Sequence, residues 1–358
     1  MRSQEFFRHL PRSDQRHWAD VYVRGLLTAE GRKSPRALAL AGTGSPEPAH
    51  ALHQFVSHSP WDWRPVRHLL AQRVGAELPA RALVLGAALI PKRGGHSVGV
   101  AAHFDPDAGR AVNAQLGMGL FVSDGHRAVP VDWRLVLDEA WCADHRRRRA
   151  RLPDSAAPRP AWQDALALAA GAGELPVVVD ARRTPGPAAL VAGLARRGAV
   201  FLAETGPGQR VVPAGGPARA VRVDELPAYD GDDVVATALV RPLEAGTEAA
   251  GAPVLRLWRL GAPGTGRARW ALTNARRLAA GGVRALLRHA DAAGAVLPAL
   301  STDFGLCDYE GRSYPGWHRH MTLVSVAYAL AALRCEAARA PLRRPPARPC
   351  TGLLARGA

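Results

Sequence analysis

The hydrophobic pattern changes its period at Ala82, and this change constrains the fold more than any other feature of the chain. Three short apolar runs, ALVLGAALI, HSVGVAAHF and AVNAQLGMGLFVS, follow one another, separated by the turn-like PKRGG and DPDAGR. Such runs predict three strands joined by hairpins. Farther along, the apolar runs LPVVVD, which ends at Asp180, and AVFLAE lie on either side of a helical pattern near residues 187–197. A strand, helix, strand unit added to hairpin strands predicts an α/β fold.

The segments around this sheet have other patterns. Residues 1–78 carry apolar side chains at helical spacing. Between about residues 205 and 275, short β-like runs alternate with Gly- and Pro-rich turns, which is typical of a β-rich insertion. Residues 339–358 are rich in proline and arginine, and no structure is predicted for them. The predicted domains are a helical region at 1–78, a core at 79–338 that contains the insertion, and a tail.

Basic residues outnumber acidic residues by 47 to 31, which gives a net charge of +16 and a pI of about 11.1. Such a balance favours a polyanionic partner, because contacts with phosphates release counterions. Lysine occurs only at Lys33 and Lys92, so arginine fills almost every basic position, a bias typical of GC-rich codon usage. Codon usage alone does not force the excess of bases over acids. The charge therefore predicts binding to nucleic acid.

The pattern of charges and cysteines predicts where the protein acts. The N-terminal MRSQEFFRHLPRSDQRHW is charged throughout and has no apolar run of signal-peptide length. The longest apolar run, residues 321–333, is too short to span a bilayer. The four cysteines form no CxxC pair, which is typical of reduced thiols and argues against a zinc site. We therefore expect a cytoplasmic protein with no membrane partner.

A polar segment at residues 303–324, DFGLCDYEGRSYPGWHRHMTLV, runs into an apolar helical pattern. Four blocks precede it in order: YVRGLL followed by RKS, QFVSHSPWD, KRGGHSVGVAAHFDPDAGRAVNAQLGMGLFV, and PVDWRLVLDEAW. Together the five blocks resemble the DDE transposases of bacterial insertion sequences, in the subgroup whose signature helix carries Tyr, Arg, Glu and Lys. The resemblance implies a ribonuclease-H-like mixed sheet with flanking helices. It also implies a DNA-binding role for the N-terminal helical region.

The same resemblance implies a set of catalytic acids. In that family three acids on different elements bind two divalent ions, Mg²⁺ or Mn²⁺, which clamp the attacking and leaving oxygens of a phosphodiester. The resemblance assigns the first acid to Gly86, the second to Asp180 and the third, a glutamate, to Gly294. Leu287 and Ala290 stand where the signature tyrosine and arginine are expected. With Asp180 as the only retained acid, we expect a diverged protein that binds no metal ion.

Other acids offer alternatives to this interpretation. Asp291 lies three residues before Gly294, on the same face of a regular helix, and is the best substitute for the missing glutamate. Glu310 belongs to the segment after the signature helix, where the resemblance favours a structural role. Without its partners, Asp180 also fits the description of an ordinary polar residue at the end of a strand.

Contact with DNA is predicted for the densest run of arginines and for the residues around the 303–324 segment. The run is either a solvated face or a phosphate-binding surface that positions a duplex without reading its sequence. The predicted DNA-binding residues are Arg146, Arg147, Arg148, Arg149, Arg151, Arg312, His318 and Arg319.

These observations support three functional hypotheses. The first is a transposase-like protein that binds double-stranded DNA, self-associates on it, and is catalytically impaired or inactive. The second is an active metal-dependent DDE transposase that cuts and joins DNA ends with a rearranged set of acids. The third is a protein-interaction module whose basic surface reflects codon usage alone; a weak, salt-insensitive interaction with DNA would favour it.

Overall fold

The N-terminal part of the chain is helical, as predicted. A computed structural model describes residues 2–171, 173–215, 219–226, 236–243, 252–261 and 268–334. The first helices are α1 (Ser3–Phe7), α2 (Ser13–Thr28), α3 (Pro35–Thr43), α4 (Ala49–Ser57) and α5 (Arg64–Glu77). The boundaries of α3 follow from local chemistry, because the Ser34 hydroxyl accepts a hydrogen bond from the Ala37 N–H and Gly44 ends the helix at φ 82°.

The centre of the molecule is a sheet that begins with hairpin strands. They are β1 (Ala82–Pro91), β2 (Val100–Asp105), β3 (Arg110–Ser123) and β4 (Ala128–Leu135). The first three were predicted, whereas β4 was not. Asp138 caps the short helix that follows β4, since its carboxylate accepts from the Trp141 N–H at 2.9 Å.

The strand, helix, strand unit follows the hairpins. Its elements, with the helices that lead to it, are α6 (Glu139–Cys142), α7 (Asp144–Ala150), α8 (Ala161–Leu168), β5 (Val177–Asp180), α9 (Pro187–Arg196) and β6 (Phe201–Thr205). Strand β5 runs parallel to β1, and β6 runs parallel to β5, whereas β1 and β3 are antiparallel. This mixed sheet confirms the predicted α/β fold of the ribonuclease-H-like type.

The β-rich insertion extends the same sheet. Its strands are β7 (Arg210–Pro213), β8 (Val221–Arg222), β9 (Ala236–Leu243), β10 (Leu255–Gly261) and β11 (Ala268–Thr273). The last of them, β11, pairs antiparallel with β6. The strand order is therefore β2-β3-β1-β5-β6-β11-β10-β9-β7-β8, with β4 paired to β3. The tail predicted at 339–358 lies outside the described residues.

Two long helices, α10 (Ala280–Thr302) and α11 (Tyr314–Arg334), cover one face of the sheet together with the N-terminal helices. Helices α8 and α9 cover the other face. The predicted boundary at residue 78 falls between α5 and β1, but both sides of it belong to one hydrophobic core that contains Leu26, Leu70 and Val84. In the part of the chain that is described, no helix is long and apolar enough to cross a bilayer.

The segment at 303–324 joins these layers. The Tyr309 ring folds back over Gly311 and Gly316, so an added Cβ at either position would overlap the tyrosine hydroxyl. A side chain at either position would therefore force the ring to move. The buried His320 lies 3.0 Å from the Tyr22 hydroxyl through Nδ1 and 3.0 Å from the Gly305 carbonyl through Nε2. Burial lowers its pKa to about 3, so the imidazole is neutral and holds α11 against α2.

Candidate active site

The strand register brings Gly86 and Asp180 together. Leu85 pairs with Val179 across β1 and β5, so the next residues on the two strands, Gly86 and Asp180, are neighbours. Across β5 and β6, Asp180 pairs with Glu204. Because successive residues of a strand point to opposite faces, these three positions face α10, on the side opposite to Leu85 and Val179. The assignment of Gly86 as the first acid position is thus consistent with the sheet geometry.

Asp180 is held by an arginine that follows it in the chain. Its carboxylate accepts from Nε and Nη2 of Arg182 at 2.8 and 3.0 Å, and the Nε of Arg183 lies 3.9 Å away. Arg183 itself pairs with Asp107 at 2.7 Å. Burial alone would lower the pKa of Arg182, but the hydrogen-bonded carboxylate of Asp180 and the charge of Glu204 raise it. The Arg182 guanidinium therefore keeps its charge, and the Asp180 carboxylate is already occupied by it.

Glu204 is an acid of this site that the sequence analysis missed. Its side chain is 2% exposed and pairs with Arg182 Nη1 at 3.0 Å. Arg269 on β11 binds it through two bonds, Nε to Oε1 at 2.7 Å and Nη2 to Oε2 at 2.8 Å. A signal was present, because Glu204 ends the apolar run AVFLAE, and the carboxyl ends of neighbouring parallel strands meet at one edge.

Arg269 also binds Asp291, the predicted substitute acid on α10. Nη1 and Nη2 of the arginine lie 2.9 and 2.8 Å from the two carboxylate oxygens. Burial would lower the pKa of Arg269, but its hydrogen bonds to Glu204 and Asp291 raise it. The chain of contacts Asp180, Arg182, Glu204, Arg269 and Asp291, called here the arginine–carboxylate network, joins β5, β6, β11 and α10.

The two glycines at the assigned acid positions differ in the space around them. A Cβ at Gly86 would lie 3.3 Å from a ring carbon of Phe121, a tight contact. A Cβ at Gly294, on an exposed part of α10, would meet no atom within 4 Å. Gly294 is one turn from Asp291, so a longer acid there would lie beside the arginine–carboxylate network.

The residues present do not fit the two divalent ions of the resembling family. Such ions require carboxylate oxygens that are free to coordinate them. In the arginine–carboxylate network, the oxygens of three carboxylates already accept bonds from two guanidinium groups. Across the described segments, no group of three or more His, Cys, Asp and Glu side chains has an arrangement that would hold a metal ion.

Candidate nucleic-acid interface

The chain belongs to the DDE superfamily endonucleases, because the model of that family matches residues 5–224, more than half of its length. Members of this family act on DNA and generally use divalent metal ions. The match contains Asp180 and Glu204 and confirms the resemblance to DDE transposases. It ends before α10 and the 303–324 segment, so the Tyr-Arg-Glu-Lys subgroup stays a prediction. A comparison with curated proteins gives no match.

The arginine run lies on α7, and its members have different roles. Arg147 turns inward and donates to the carbonyls of Cys142, Pro153 and Ala156 at 3.2, 2.9 and 2.7 Å. Its guanidinium holds the loop after α7 and is a structural group, contrary to the prediction of a DNA contact. Arg146 lies 5.1 Å from the centre of the Trp141 ring.

Two other predicted contacts are also interior. His318 and Arg319 on α11 are 3% and 4% exposed. Arg319 donates from Nε to the Trp61 carbonyl at 3.0 Å, and burial lowers its pKa to about 10. Neither side chain reaches the surface, which corrects their predicted role in contacting a duplex. The sequence carries no marker that separates a buried arginine bound to carbonyls from an exposed one.

Arg148, Arg149, Arg151 and Arg312 are exposed, and the segments of Arg151 and Arg312 meet at one carbonyl group. Arg151, in the left-handed region at φ 56°, donates to the Ser57 carbonyl at 3.0 Å. The Ser313 hydroxyl donates to the same carbonyl at 3.3 Å, next to the exposed Arg312. We define the α7 basic surface by four exposed residues, Arg148, Arg149, Arg151 and Arg312.

Proposed function

We propose that this protein is a transposase-like DNA-binding protein whose phosphodiester-cleaving centre is inactive. One observation carries the proposal: two guanidinium groups, those of Arg182 and Arg269, bind the carboxylates at the strand ends where the family's metal ligands are expected. The position assigned to the first acid is Gly86, which has no side chain that binds metal.

The free-energy cost of separating these ion pairs supports a structure in which the two arginines stay bound to the carboxylates. A metal ion would have to displace Arg269 from Glu204, which is almost fully buried. Breaking a buried ion pair on one side costs about 3–5 kcal/mol, because the remaining charge has no partner. The two arginines supply a charge of +2 that neutralises most of the three carboxylates, so little negative potential remains to attract cations.

Binding to double-stranded DNA is the activity that we expect to survive. It is supported by the family's action on DNA and by the α7 basic surface, which offers four guanidinium groups for phosphate contacts. We further propose that the protein acts in the cytoplasm and self-associates on its DNA.

The test uses the purified chain with duplex DNA, with Mg²⁺ or Mn²⁺ present. We expect no nicking and no strand joining, and a DNA affinity that falls steeply as salt rises. Metal-dependent cleavage that disappears in Asp180→Ala would overturn the proposal. A weak interaction that does not respond to salt would favour a protein-interaction module.

The second candidate is an active transposase with a rearranged acid set. It is favoured by the chain of contacts that brings Asp180, Glu204 and Asp291 to one side of the sheet. In that case Arg269 must leave the site when DNA and metal bind, and cleavage must be lost in Glu204→Gln as well as in Asp180→Ala. Asp303→Asn, a change of an acid outside the arginine–carboxylate network, is the matched control.

A further inference from the structure

Three exposed histidines lie along α4, next to the α7 basic surface. His50 and His53 are three residues apart, so they lie on one side of the helix, and His58 directly follows its last residue, Ser57. The imidazole rings of His53 and His58 have centres 5.9 Å apart. We call the side chains of His50, His53 and His58 the α4 histidine row.

The α4 histidine row meets the α7 basic surface at Arg151. Nη1 of this arginine donates to the Ser57 carbonyl at 3.0 Å and lies 3.4 Å from Nδ1 of His58. The Ser313 hydroxyl, next to Arg312, donates to the same carbonyl. His58 therefore contacts Arg151 on one side and lies beside His53 on the other, so the row continues the basic surface along α4.

The neutral form of these histidines is favoured as long as no anion is near. A guanidinium group can only donate, so Nδ1 of His58 accepts from Arg151, and its protonation would place two donors against each other. Partial burial lowers the pKa of His53, and the charges of His58 and His50 lower it further. An anion that accepts from these donors would favour the protonated form.

The helices packed against α4 bring few negative charges to the row. They are α2, α3 and α11. The one charged residue of α3 is the exposed Arg36, and Arg319 of α11 donates from Nη1 to the Val56 carbonyl at 3.4 Å. The acids of α2 are paired, Asp14 with Arg12 and Asp20 with Arg24. The other titratable groups of these helices carry no negative charge near neutral pH; they are Arg16, His17, Tyr22, Tyr314, His318, His320, Tyr328 and Arg334.

The acids close to the surface in the chain offset part of its charge. Glu47 is exposed three residues before His50, and Asp144 and Asp154 are exposed before and after the arginines of α7. Asp62, after the row, pairs with Arg64, and Glu310, before Arg312, pairs with Arg32. Since the four arginines of the α7 basic surface are partly neutralised in this way, protonation of three histidines would raise the local potential considerably.

We propose that the α4 histidine row is a further DNA-contacting part of the α7 basic surface, and that its histidines bind backbone phosphates of a duplex in their protonated form. The inference rests on the proposed DNA-binding function and assigns further contacts to it. A phosphate oxygen that accepts from both Arg151 and protonated His58 removes the conflict between the two donors. The row is about 12 Å long at about 1.5 Å per residue, so it extends over more than one phosphate.

The direction of the pH dependence follows from this contact. Phosphates raise the pKa of a nearby histidine, so the complex holds protons that the free protein does not. The additional affinity is present below the pKa of the free histidines and is lost as the pH rises through the pKa of the bound ones. The phosphodiester groups of DNA keep their charge throughout this range.

The test measures binding of the full chain to a duplex with 5′-hydroxyl ends, by fluorescence anisotropy at constant salt. We expect wild-type affinity to be about ten- to thirtyfold higher near pH 5.5 than near pH 8, because a rise of about half a pKa unit at each histidine contributes about threefold. In the variant that combines His50→Gln, His53→Gln and His58→Gln, we expect a change of less than about threefold. The two proteins should bind equally near pH 8, where the row is neutral.

A matched control combines His9→Gln, His68→Gln and His126→Gln, three exposed histidines away from α4. It should keep the pH dependence of wild type. A flat wild-type profile, the same pH dependence in the row variant, or an equal loss of affinity at both pH values in that variant would overturn the proposed contact and leave DNA binding by the arginines intact. No binding to DNA at any pH would overturn the proposed function as well.

Proton uptake provides a second measurement that does not depend on comparing affinities across pH. Calorimetric titration with the same duplex near pH 6.5, in two buffers of different ionisation enthalpy, gives the number of protons bound on complex formation. We expect net uptake in wild type and in the control variant and none in the row variant. Equal uptake in all three proteins would contradict the assignment to the α4 histidine row.

Discussion

The arginine–carboxylate network and a second cluster, formed by Arg134, Asp164 and His318 at the edge of β4, differ in how completely their polar groups are paired. In the network, Glu204 accepts from two arginines, and Arg269 binds two carboxylates through bidentate contacts. At the β4 edge, Arg134 and His318 keep unpartnered donors, and the nearest acid is 3.9 Å away. A fully paired cluster stabilises the scaffold, whereas an incompletely paired one leaves buried polar groups whose desolvation is not compensated.

The difference also bears on the proposed loss of the metal centre. If Gly86 occupies the position of the first acid, as we propose, loss of that acid and its metal ions would leave the other carboxylates with uncompensated repulsion at the same strand ends. Arg182 and Arg269 relieve this repulsion without any ion. Once both arginines pair with buried Glu204, the arrangement persists, because removing an arginine would leave a buried carboxylate without its partner.

Removing a partner from the paired cluster should have the largest effect. We expect Arg269→Met to lower the free energy of unfolding by about 3–5 kcal/mol, because it leaves buried Glu204 with Arg182 alone. Urea denaturation measures the change. Asp291→Asn is the control: its side chain is 53% exposed, and we expect a loss of less than about 1 kcal/mol. Equal losses in the two variants would mean that the network is not part of the scaffold.

Removing the charge of Asp164 from the second cluster should raise, not lower, the free energy of unfolding. Asp164 has a folded-state pKa of about 6, above its ordinary 3.8, so the folded protein holds the proton more tightly than the unfolded chain does. Stability is therefore lost as pH rises through about 4 to 6. We expect Asp164→Asn to stabilise the protein by about 1–3 kcal/mol near pH 8 and to have no such effect near pH 4.

Thermal denaturation at both pH values tests this sign. The exposed Asp154 provides the matched change, and Asp154→Asn should leave the melting temperature unaltered at either pH. Destabilisation by Asp164→Asn near pH 8 would show that the ion pair with Arg134 outweighs the cost of burying the carboxylate.

The α7 basic surface allows arginines that are proposed to contact DNA to be compared with a neighbouring arginine that stabilises the fold. We expect Arg148→Ala with Arg149→Ala to reduce the slope of log affinity against log salt by about 2, since each phosphate contact contributes about 0.9 on B-DNA. The neighbouring Arg147→Ala should instead lower stability, because three carbonyls lose their donor. An unchanged slope in the double variant would indicate that the surface is only solvated.

Periodicity predicted much of the fold but not all of it. The apolar runs of β1, β2, β3, β5 and β6 were evident, because they are uninterrupted by charges. Strand β4 was missed although Val131, Trp133 and Leu135 are buried and alternate with partly exposed Asp132 and Arg134. The proline and the charges in AVPVDWRL obscured a two-residue period that was present.

The site was less predictable, because it depends on long-range register. Asp180 was identified from its strand, and Glu204 follows the same logic on the next strand. Arg269 is separated from Glu204 by 65 residues of the chain, and only the pairing of β11 with β6 brings them together. Turn and strand patterns within the insertion do not determine which of its strands returns to the core sheet.

The smallest expected effect concerns Gly294. Since an added Cβ there meets no atom within 4 Å, Gly294→Ala and Gly294→Glu should each stabilise α10 by up to about 1 kcal/mol without metal, as helix-interior glycine is unfavourable. Adding Gly86→Asp to Gly294→Glu should reverse this gain, because the Phe121 ring must move and like charges repel. With Mn²⁺ at about ten times its Kd, binding to the folded double variant would restore about 1.4 kcal/mol. A metal-induced rise in melting temperature that is unique to the double variant, and absent when Asp180→Asn is added, would support the assigned acid positions. The same rise in wild type would mean that the acids lie elsewhere and that the arginine–carboxylate network does not exclude metal.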